Sequence, residues 1–471
     1  MKKTKIICTI GPSSMDDNIL EKMINSGMDV ARINMSHCTH DLATEICNKI
    51  RNLNKKLNKN VGILIDTKGP EIRVGKFLNG FIELIEGDTV ILTPSKADGS
   101  DNRINISHSK LSRSLDIDSI ILLDDGTIKL MVTGIKNTDI TCKVIVGGML
   151  KDNKGINIPD TDLDIDFLSV SDKNDILFAS KLNADFIALS FIRNANDVLD
   201  VNDILIGEKN EHTQIISKIE NERAVLDIDN IIKVSDGIMV ARGDLGVEIE
   251  LEKLPYIQKN IVSKVKEKNK ICIVATEMLS SMETNIRPTR AEVSDIANAV
   301  IDGADSVMLS GETAIGMYPV ESVETVYKII NETEKNLDHN KMLLKKIDEK
   351  NLDNTSVLAY STVEAANLLN AKAIVVSTIS GYTARRVSGY RPNCPIIVTT
   401  PESSTATSLS LNWGVVPIVV KKFGSTDDII ENAKEQVVKM LDIKEGDKII
   451  ITGGFPIKKT RSTNFMKIEN L

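Results

Sequence analysis

Short apolar runs rich in Ile and Val recur along the chain, each followed by an amphipathic stretch, the alternation of strand and helix around a parallel sheet. Eight such strands are predicted, at 5–11, 29–35, 61–67, 185–191, 214–220, 237–243, 271–277 and 306–312. Helical patterns such as DDNILEKMINSG, NANDVLDVNDILIG and TRAEVSDIANAVIDG follow them. Eight parallel strands with eight crossovers predict an α/β chain built on a (β/α)8 TIM barrel. Between the third and fourth strands, from Pro70 to Leu168, the pattern changes to short alternating strands punctuated by DDG and GG turns. This is a small all-β insert, a β-barrel lid domain in the predicted architecture. It sits in a βα loop, which opens at the catalytic face of such a barrel, and is therefore placed to act as a lid. A charged, Asn-rich stretch from His339 to Asn354 reads as a linker to a second α/β unit with strands AKAIVVSTI, CPIIVTT, VVPIVVK and DKIIITGG. The predicted domains are 1–69 with 169–340 for the barrel, 70–168 for the lid and 341–471 for the C-terminal α/β unit.

The polar residues that close the apolar runs form a set. The fifth and sixth runs each end in a charged pair spaced two residues apart, Lys218 with Glu220 and Arg242 with Asp244. Side chains alternate faces along a strand, so each pair is expected to point one way. Two carboxylates and two cations would then converge on one pocket, a composition that can hold a divalent metal and neutralise a phosphoryl group in transfer. The second strand adds Arg32, Asn34 and Ser36 at period two, with His37 next. The third adds Asp66 and Thr67, the sixth Gly243, the seventh Thr276 and the eighth Ser310. Any one pair alone reads as a rim salt bridge. Polar groups at the same end of most strands mark the face where a TIM barrel carries its chemistry.

Composition narrows the partners. A chain of 471 residues suggests two to four domains. Its net charge of −8 argues against nucleic acid, so an anionic substrate must be met by a local cluster of cations. Cys8, Cys38, Cys47, Cys142, Cys272 and Cys394 show neither CxxC nor zinc spacing and read as reduced thiols of a cytoplasmic protein. Gly11 and Pro12 end the first apolar run too early for a signal peptide, and no run reaches bilayer length, so no membrane partner is expected. The GxGxxG and P-loop motifs are missing, which leaves a Rossmann dehydrogenase or a P-loop kinase without support.

In order and over nearly its whole length, the chain resembles the pyruvate kinase family. The matching text is TKIICTIGP, ARINMSH, IDTKGPEIR from Ile65 to Arg73, KGINIP from Lys154, SFIR from Ser190, SKIEN from Ser217, MVARGDLGVE from Met239, ATEML from Ala275, RPTRAEVSDIANAV from Arg287 and MLSGETA from Met308. The resemblance implies transfer of the phosphoryl group of phosphoenolpyruvate to ADP, giving pyruvate and ATP, by a homotetramer. It implies Mg²⁺ or Mn²⁺ at Glu220 and Asp244, and K⁺ at Asn34, Ser36, Asp66 and Thr67, with Glu71 as in the K⁺-dependent branch. Arg32 would clamp the substrate phosphate, and Lys218 would face the migrating phosphoryl group. The backbone of Gly243 and Asp244 would receive substrate oxygens. Thr276 would bind the carboxylate side and deliver a proton to the enolate. Asn34, His37, Arg73 and Lys154 would contact the nucleotide.

The loop Thr378, Ser380, Gly381 and Thr383 resembles the family's sugar-phosphate effector loop at a helix N-terminus and implies a phosphorylated activator; without a ligand it reads as a helix cap. Tyr382 and Trp413 stand where basic residues are frequent, and the terminal loop FPIKKTRSTN has no glycines, although Lys458, Lys459 and Arg461 bring charge. The chain end at Leu471 reads as omitting the extra phosphotransfer domain of some bacterial relatives. Three residues depart from the family near the site. Met35 is a soft apolar replacement. Cys38 places a thiol in a turn, and Glu277 is expected by strand alternation to face away from Thr276. Two other classes compete. A metal-dependent aldolase would lack the β insert and IDTKGPEIR. A silent sensor would have lost Lys218, Glu220, Asp244 or Thr276, all of which are present.

Overall fold

The computed structural model describes residues 1–159, 161, 165–210, 212–344, 346, 353–422, 424–454 and 463–471. The eight predicted strands are Lys5–Thr9, Val30–Asn34, Gly62–Asp66, Phe186–Leu189, Gln214–Ile219, Gly237–Ala241, Ile271–Ala275 and Ser306–Leu309. Each stops one to three residues before its predicted end. They pair in parallel, and the first pairs with both the second and the eighth, which closes the barrel. Strand residues alternate between two cores. Ile7, Val30, Leu64, Phe186, Ile216, Met239, Ile273 and Met308 fill the interior. Ile6, Cys8, Ala31, Ile33, Ile63, Ile65, Val240 and Val274 pack outward against the helices. Burial on both faces explains why these runs read as continuous apolar text rather than alternation. Helix boundaries follow local chemistry: Thr289 and Glu292 form a capping box before Arg290–Asp302, and Gly303 ends that helix at a φ of 102°.

The segment between the third and fourth barrel strands forms a seven-stranded sheet and a two-stranded ribbon, Phe81–Leu84 with Gly148–Lys151. Both contribute to one apolar core, which includes Leu84, Leu92, Ile121, Leu130, Val144 and Leu150. The C-terminal sheet runs in the order Val415–Val419, Ile396–Thr400, Ala373–Ser377, Lys448–Gly454, Thr463–Asn470. Its last strand is antiparallel and was not among the predicted ones. The stretch from His339, expected as a linker, instead begins with the helix His339–Leu344. His339 is buried there, its Nδ1 at 2.9 Å from the Arg391 carbonyl and its ring tilted against Trp413. Packing against that junction orders residues that polarity alone marks as a connector. The remainder of the expected linker, 345 and 347–352, lies outside the described residues.

The C-terminal unit closes the lower mouth of the barrel. Leu411, fully buried, belongs to the apolar interior formed by Ile7, Phe186 and Met239. The segment around it is fixed to strand starts: Gln214 Nε2 donates to the Ser408 carbonyl at 2.8 Å, Lys5 Nζ to the Val415 carbonyl at 2.7 Å, and the Thr407 hydroxyl to Asp185. Gly62 is required by this close approach, since a Cβ there would stand 2.2 Å from Ser410 Oγ. Leu411→Ala would leave a cavity at the barrel floor, and a loss of about 2–5 kcal/mol in unfolding free energy is expected from denaturant melts.

Candidate functional site

Strand ends at the opposite mouth assemble a buried charge network. Arg32 lies two residues before the end of the second strand, and Asp66 closes the third opposite Asn34. Arg32 Nε donates to Asp66 Oδ2 at 2.6 Å, and its Nη1 to Thr9 Oγ1 at 2.8 Å. Lys218, on the fifth strand, lies 2.7 Å from Glu220 Oε1 and 3.4 Å from Asp66 Oδ1, and donates to Ser190 Oγ at 2.8 Å. Glu220 Oε2 accepts the Phe191 backbone N–H at 2.6 Å. Lys218 and Glu220 therefore share a face, as the alternation predicts.

Burial and charge act against each other here. Burial alone would raise the Asp66 carboxyl, but Lys218 and Arg32 overcome it and hold it below the usual carboxylate range. Burial would lower the Lys218 ammonium, but Asp66, Glu220 and Asp244 together push it above its ordinary value. Glu220 remains raised by burial and by Asp244, with Lys218 opposing. The pocket thus contains a nearly inaccessible carboxylate beside a second carboxylate, with one ammonium shared among three acids. Two hard oxygen donors whose negative charge is incompletely met suit a divalent cation.

Arg242 corrects the expected pairing. The sixth strand ends at Ala241, and Arg242–Glu248 is a short helix, so strand alternation does not reach residues 242–244. Arg242 turns away from Lys218. Its Nη1 donates to Asp295 Oδ2 at 2.6 Å, its Nη2 to the Thr276 carbonyl at 2.5 Å and its Nε to the Ala275 carbonyl at 3.3 Å. The second cation of the pocket is Arg32. Arg242 instead supports an unusual backbone, with Thr276 and Glu277 at φ values of 65° and 56°. A β-branched residue there is strained, and such strain persists only where surrounding contacts hold it. Glu277 is exposed, and the reason given for its direction fails because the seventh strand ends at Ala275. Thr276 Oγ1 accepts the Gly243 N–H at 2.8 Å and donates to the Ala275 carbonyl at 2.6 Å. Arg242→Gln removes donors from both strained-turn carbonyls and is expected to lower kcat by about 10–100-fold with a smaller change in KM, as for a misplaced catalytic group. Steady-state kinetics on the folded variant check this.

The other predicted residues divide into neighbours and outliers. Asn34 Oδ1 accepts the Ser36 N–H at 3.0 Å, and Thr67 Oγ1 accepts the Ser190 N–H at 3.3 Å, so Asn34, Ser36, Asp66 and Thr67 gather at the ends of the second and third strands. His37 is exposed beside them. Arg73 and Lys154 lie next to each other where the chain leaves and rejoins the barrel, since Arg73 pairs with Gly155. Arg73 is held by Glu71 at 2.7 Å, and Lys154 by Asp124 at 2.7 Å. Insert and barrel enclose a cavity of about 300 Å³ lined by Pro70, Asp125, Asn157, Phe191, Asp244 and Glu248, bridged by the Asn157 amide donating to Glu248 at 2.9 Å. Sequence reasoning passed over Ser190, which directly follows the fourth strand and whose Oγ accepts from Lys218. The period-two rule applied to that strand end would have found it.

The effector-loop candidates form a compact turn remote from this mouth. Gly381 has a φ of 76° and donates its N–H to Thr378 Oγ1 at 3.1 Å. Thr383 Oγ1 lies 2.6 Å from Thr463 Oγ1, and Arg385 Nη1 donates to the Ser380 carbonyl at 3.0 Å. Trp413 is buried at the junction with the barrel rather than facing the loop. Lys458, Lys459 and Arg461 lie outside the described residues.

Comparison with known proteins accounts for both catalytic and C-terminal units. Residues 1–323 match the family model described as "Pyruvate kinase, barrel domain", and residues 356–469 match "Pyruvate kinase, alpha/beta domain". The chain is similar to the pyruvate kinase of Sporosarcina psychrophila, 44% identical over 471 residues, covering 100% of this chain and 80% of that protein. Pyruvate kinases of Staphylococcus aureus strains MRSA252 and USA300 are each 43% identical over the same span and share.

Proposed function

The chain belongs to the pyruvate kinase family and transfers the phosphoryl group of phosphoenolpyruvate to ADP, giving pyruvate and ATP, and we propose that the buried network at its barrel strand ends performs that transfer. The observation that carries this reading is the Lys218 ammonium, held among Asp66, Glu220 and Ser190 with its charge enforced. A compact cation at that point lowers the energy of the charge spread over the equatorial oxygens of the moving phosphoryl group. Arg32 clamps the phosphate before transfer. The backbone of Gly243 and Asp244, at the start of Arg242–Glu248, receives substrate oxygens, the Gly243 N–H exchanging its bond to Thr276 Oγ1. Thr276 orients the carboxylate side and passes a proton to C3 of the enolate through its hydroxyl or a water, which completes pyruvate.

Glu220 and Asp244 are the residues that fit Mg²⁺ or Mn²⁺. When bound there, the divalent ion supplies Lewis-acid stabilisation of the enolate oxygen and the phosphate. Asn34, Ser36 and Thr67, with the Asp66 carboxylate, offer the mostly neutral oxygen set suited to K⁺. Asn34, His37, Arg73 and Lys154 border the nucleotide side, with residues 70–168 acting as a lid on the barrel of 1–69 and 169–340. The C-terminal unit, 341–471, would take a phosphorylated activator at Thr378, Ser380, Gly381 and Thr383. Family membership supports a homotetramer. Among the described residues no helix is long and apolar enough to cross a membrane, which is compatible with a cytoplasmic glycolytic enzyme.

The test is steady-state pyruvate formation from phosphoenolpyruvate and ADP, with Mg²⁺ added or omitted and K⁺ replaced by a tetraalkylammonium salt. Turnover that needs both cations, and a shift in phosphoenolpyruvate affinity with sugar phosphates or AMP, is expected. Undiminished turnover without K⁺ would remove the monovalent assignment, and turnover without any divalent ion would remove the Glu220 and Asp244 assignment.

A further inference from the structure

The barrel and the C-terminal unit meet around a second cavity, about 1230 Å³ in volume, whose wall includes Lys266, Asn269, Asp302, Lys346 and Arg391. Lys266 and Asn269 immediately precede the seventh barrel strand, Ile271–Ala275, so this cavity lies at the mouth opposite Lys218. Cavities at domain junctions are favoured places for small ligands.

Three cations converge there. Arg391 is only 3% exposed and sits at a φ of 55°, an unusual conformation for a residue other than glycine. Its Nη2 is spent on Asp305 at 2.7 Å and the Gly303 carbonyl at 2.8 Å, and its guanidinium lies 4.8 Å from the Trp413 ring centre. Nε and Nη1 have no hydrogen-bond partner among the described residues. Lys346 Nζ donates to Asn269 Oδ1 at 2.8 Å and to the Gly389 carbonyl. Among the described residues Lys266 Nζ reaches only the Asp302 carbonyl, at 3.4 Å. Neither ammonium forms an ion pair among the described residues. Of the nearby acids, Asp305 is committed to Arg391 and Asp302 Oδ1 to Lys259, while Glu267, Glu332 and Asp338, with Lys268 and Lys341, complete the charged wall. Burial, reinforced by Arg391, pulls the Lys266 ammonium down to about 8 and that of Lys346 down to about 7. Neither amine therefore has a carboxylate within ion-pair distance among the described residues.

We infer that this junction binds a small phosphate-bearing anion, with Lys266, Lys346 and Arg391 as its recognition groups. A phosphate offers enough acceptor oxygens to meet all three groups at once, where a monocarboxylate offers two. An arginine with unused N–H groups beside two lysines is the residue set that recognises phosphate. Nothing in the active-site reading is needed for this inference, and the loop at Thr378–Thr383 is a separate structure.

The experiment is isothermal titration of the full chain with inorganic phosphate, and separately with glycerol 3-phosphate. Phosphoenolpyruvate and Mg²⁺ are present and ADP is absent, so that the phosphoenolpyruvate site is occupied without turnover. Saturable binding is expected in the wild type and, within twofold, in Ser380→Ala/Thr383→Ala. It should weaken at least tenfold in Lys266→Met/Lys346→Met and in the single Lys346→Gln, the milder change. Without phosphate the Lys346 variants should melt no lower than wild type, because an uncompensated buried cation has been removed, and phosphate should no longer raise their Tm. Tighter binding of glycerol 3-phosphate than of phosphate would identify a phosphomonoester as the ligand, and equal binding free phosphate. The proposal is overturned by wild-type affinity in the lysine variants, by loss of binding in Ser380→Ala/Thr383→Ala, or by no saturable binding in the wild type.

Discussion

Glu220→Gln is expected to reduce pyruvate formation by at least about 10³-fold, roughly 4 kcal/mol of transition-state stabilisation, without loss of the fold. The side chain keeps its shape, and the amide oxygen can still accept the Phe191 N–H that Glu220 takes at 2.6 Å. What disappears is a negative charge proposed to hold the divalent ion. A carboxylate raised by burial is one whose charged form the fold disfavours, more so as pH rises through its titration, so a neutral amide relieves that cost. Lys218 retains Asp66 at 3.4 Å. Circular dichroism and thermal melts should therefore overlay those of the wild type while turnover is lost at saturating Mg²⁺. A variant with normal turnover would show that Glu220 holds no essential metal.

Lys218→Met should reach further, because it acts on both chemistry and packing. Its ammonium is, among the described residues, the one cation within 3 Å of Glu220, so kcat is expected to fall by about 10³-fold or more with a lesser change in KM, the pattern of a group that acts on the transition state. Stability should fall as well. Breaking a buried ion pair from one side strands the remaining charge and costs about 3–5 kcal/mol. Asp66 keeps Arg32, so the stranded group is Glu220. The double variant Lys218→Met/Glu220→Gln should recover much of the lost Tm and none of the lost kcat. Recovery of neither, with equal losses in both singles and the double, would mean that the two residues are not coupled as the 2.7 Å contact indicates.

Where sequence and structure part company, the cause is local. Eight apolar runs were readable because parallel strands buried on both faces leave uninterrupted Ile and Val text, and the strand-end set from Arg32 to Thr276 followed from it. Alternation was carried too far at two places. At Arg242 the chain turns directly into a helix, and at Thr276 it enters the left-handed region, against the preference of a β-branched residue. Neither event has a periodicity, and the second runs contrary to local propensity, so both were invisible to pattern reading. Thr463–Asn470 was missed because its text, TNFMKIEN, alternates weakly along an edge strand with one face open. The helix at His339 was missed because its order comes from Arg391 and Trp413, neither of which is near it in the chain.

The position of Leu411 bears on how this protein comes into being. The eighth barrel strand ends at Leu309, yet the residue that completes the barrel floor comes 102 positions later, 411 minus 309. At synthesis rates of about 5–20 residues per second, all eight strands exist for roughly 5–20 s before Leu411 is made. During that interval Ile7, Phe186 and Met239 line a socket open to water, and to any chaperone or neighbouring nascent chain that can fill it.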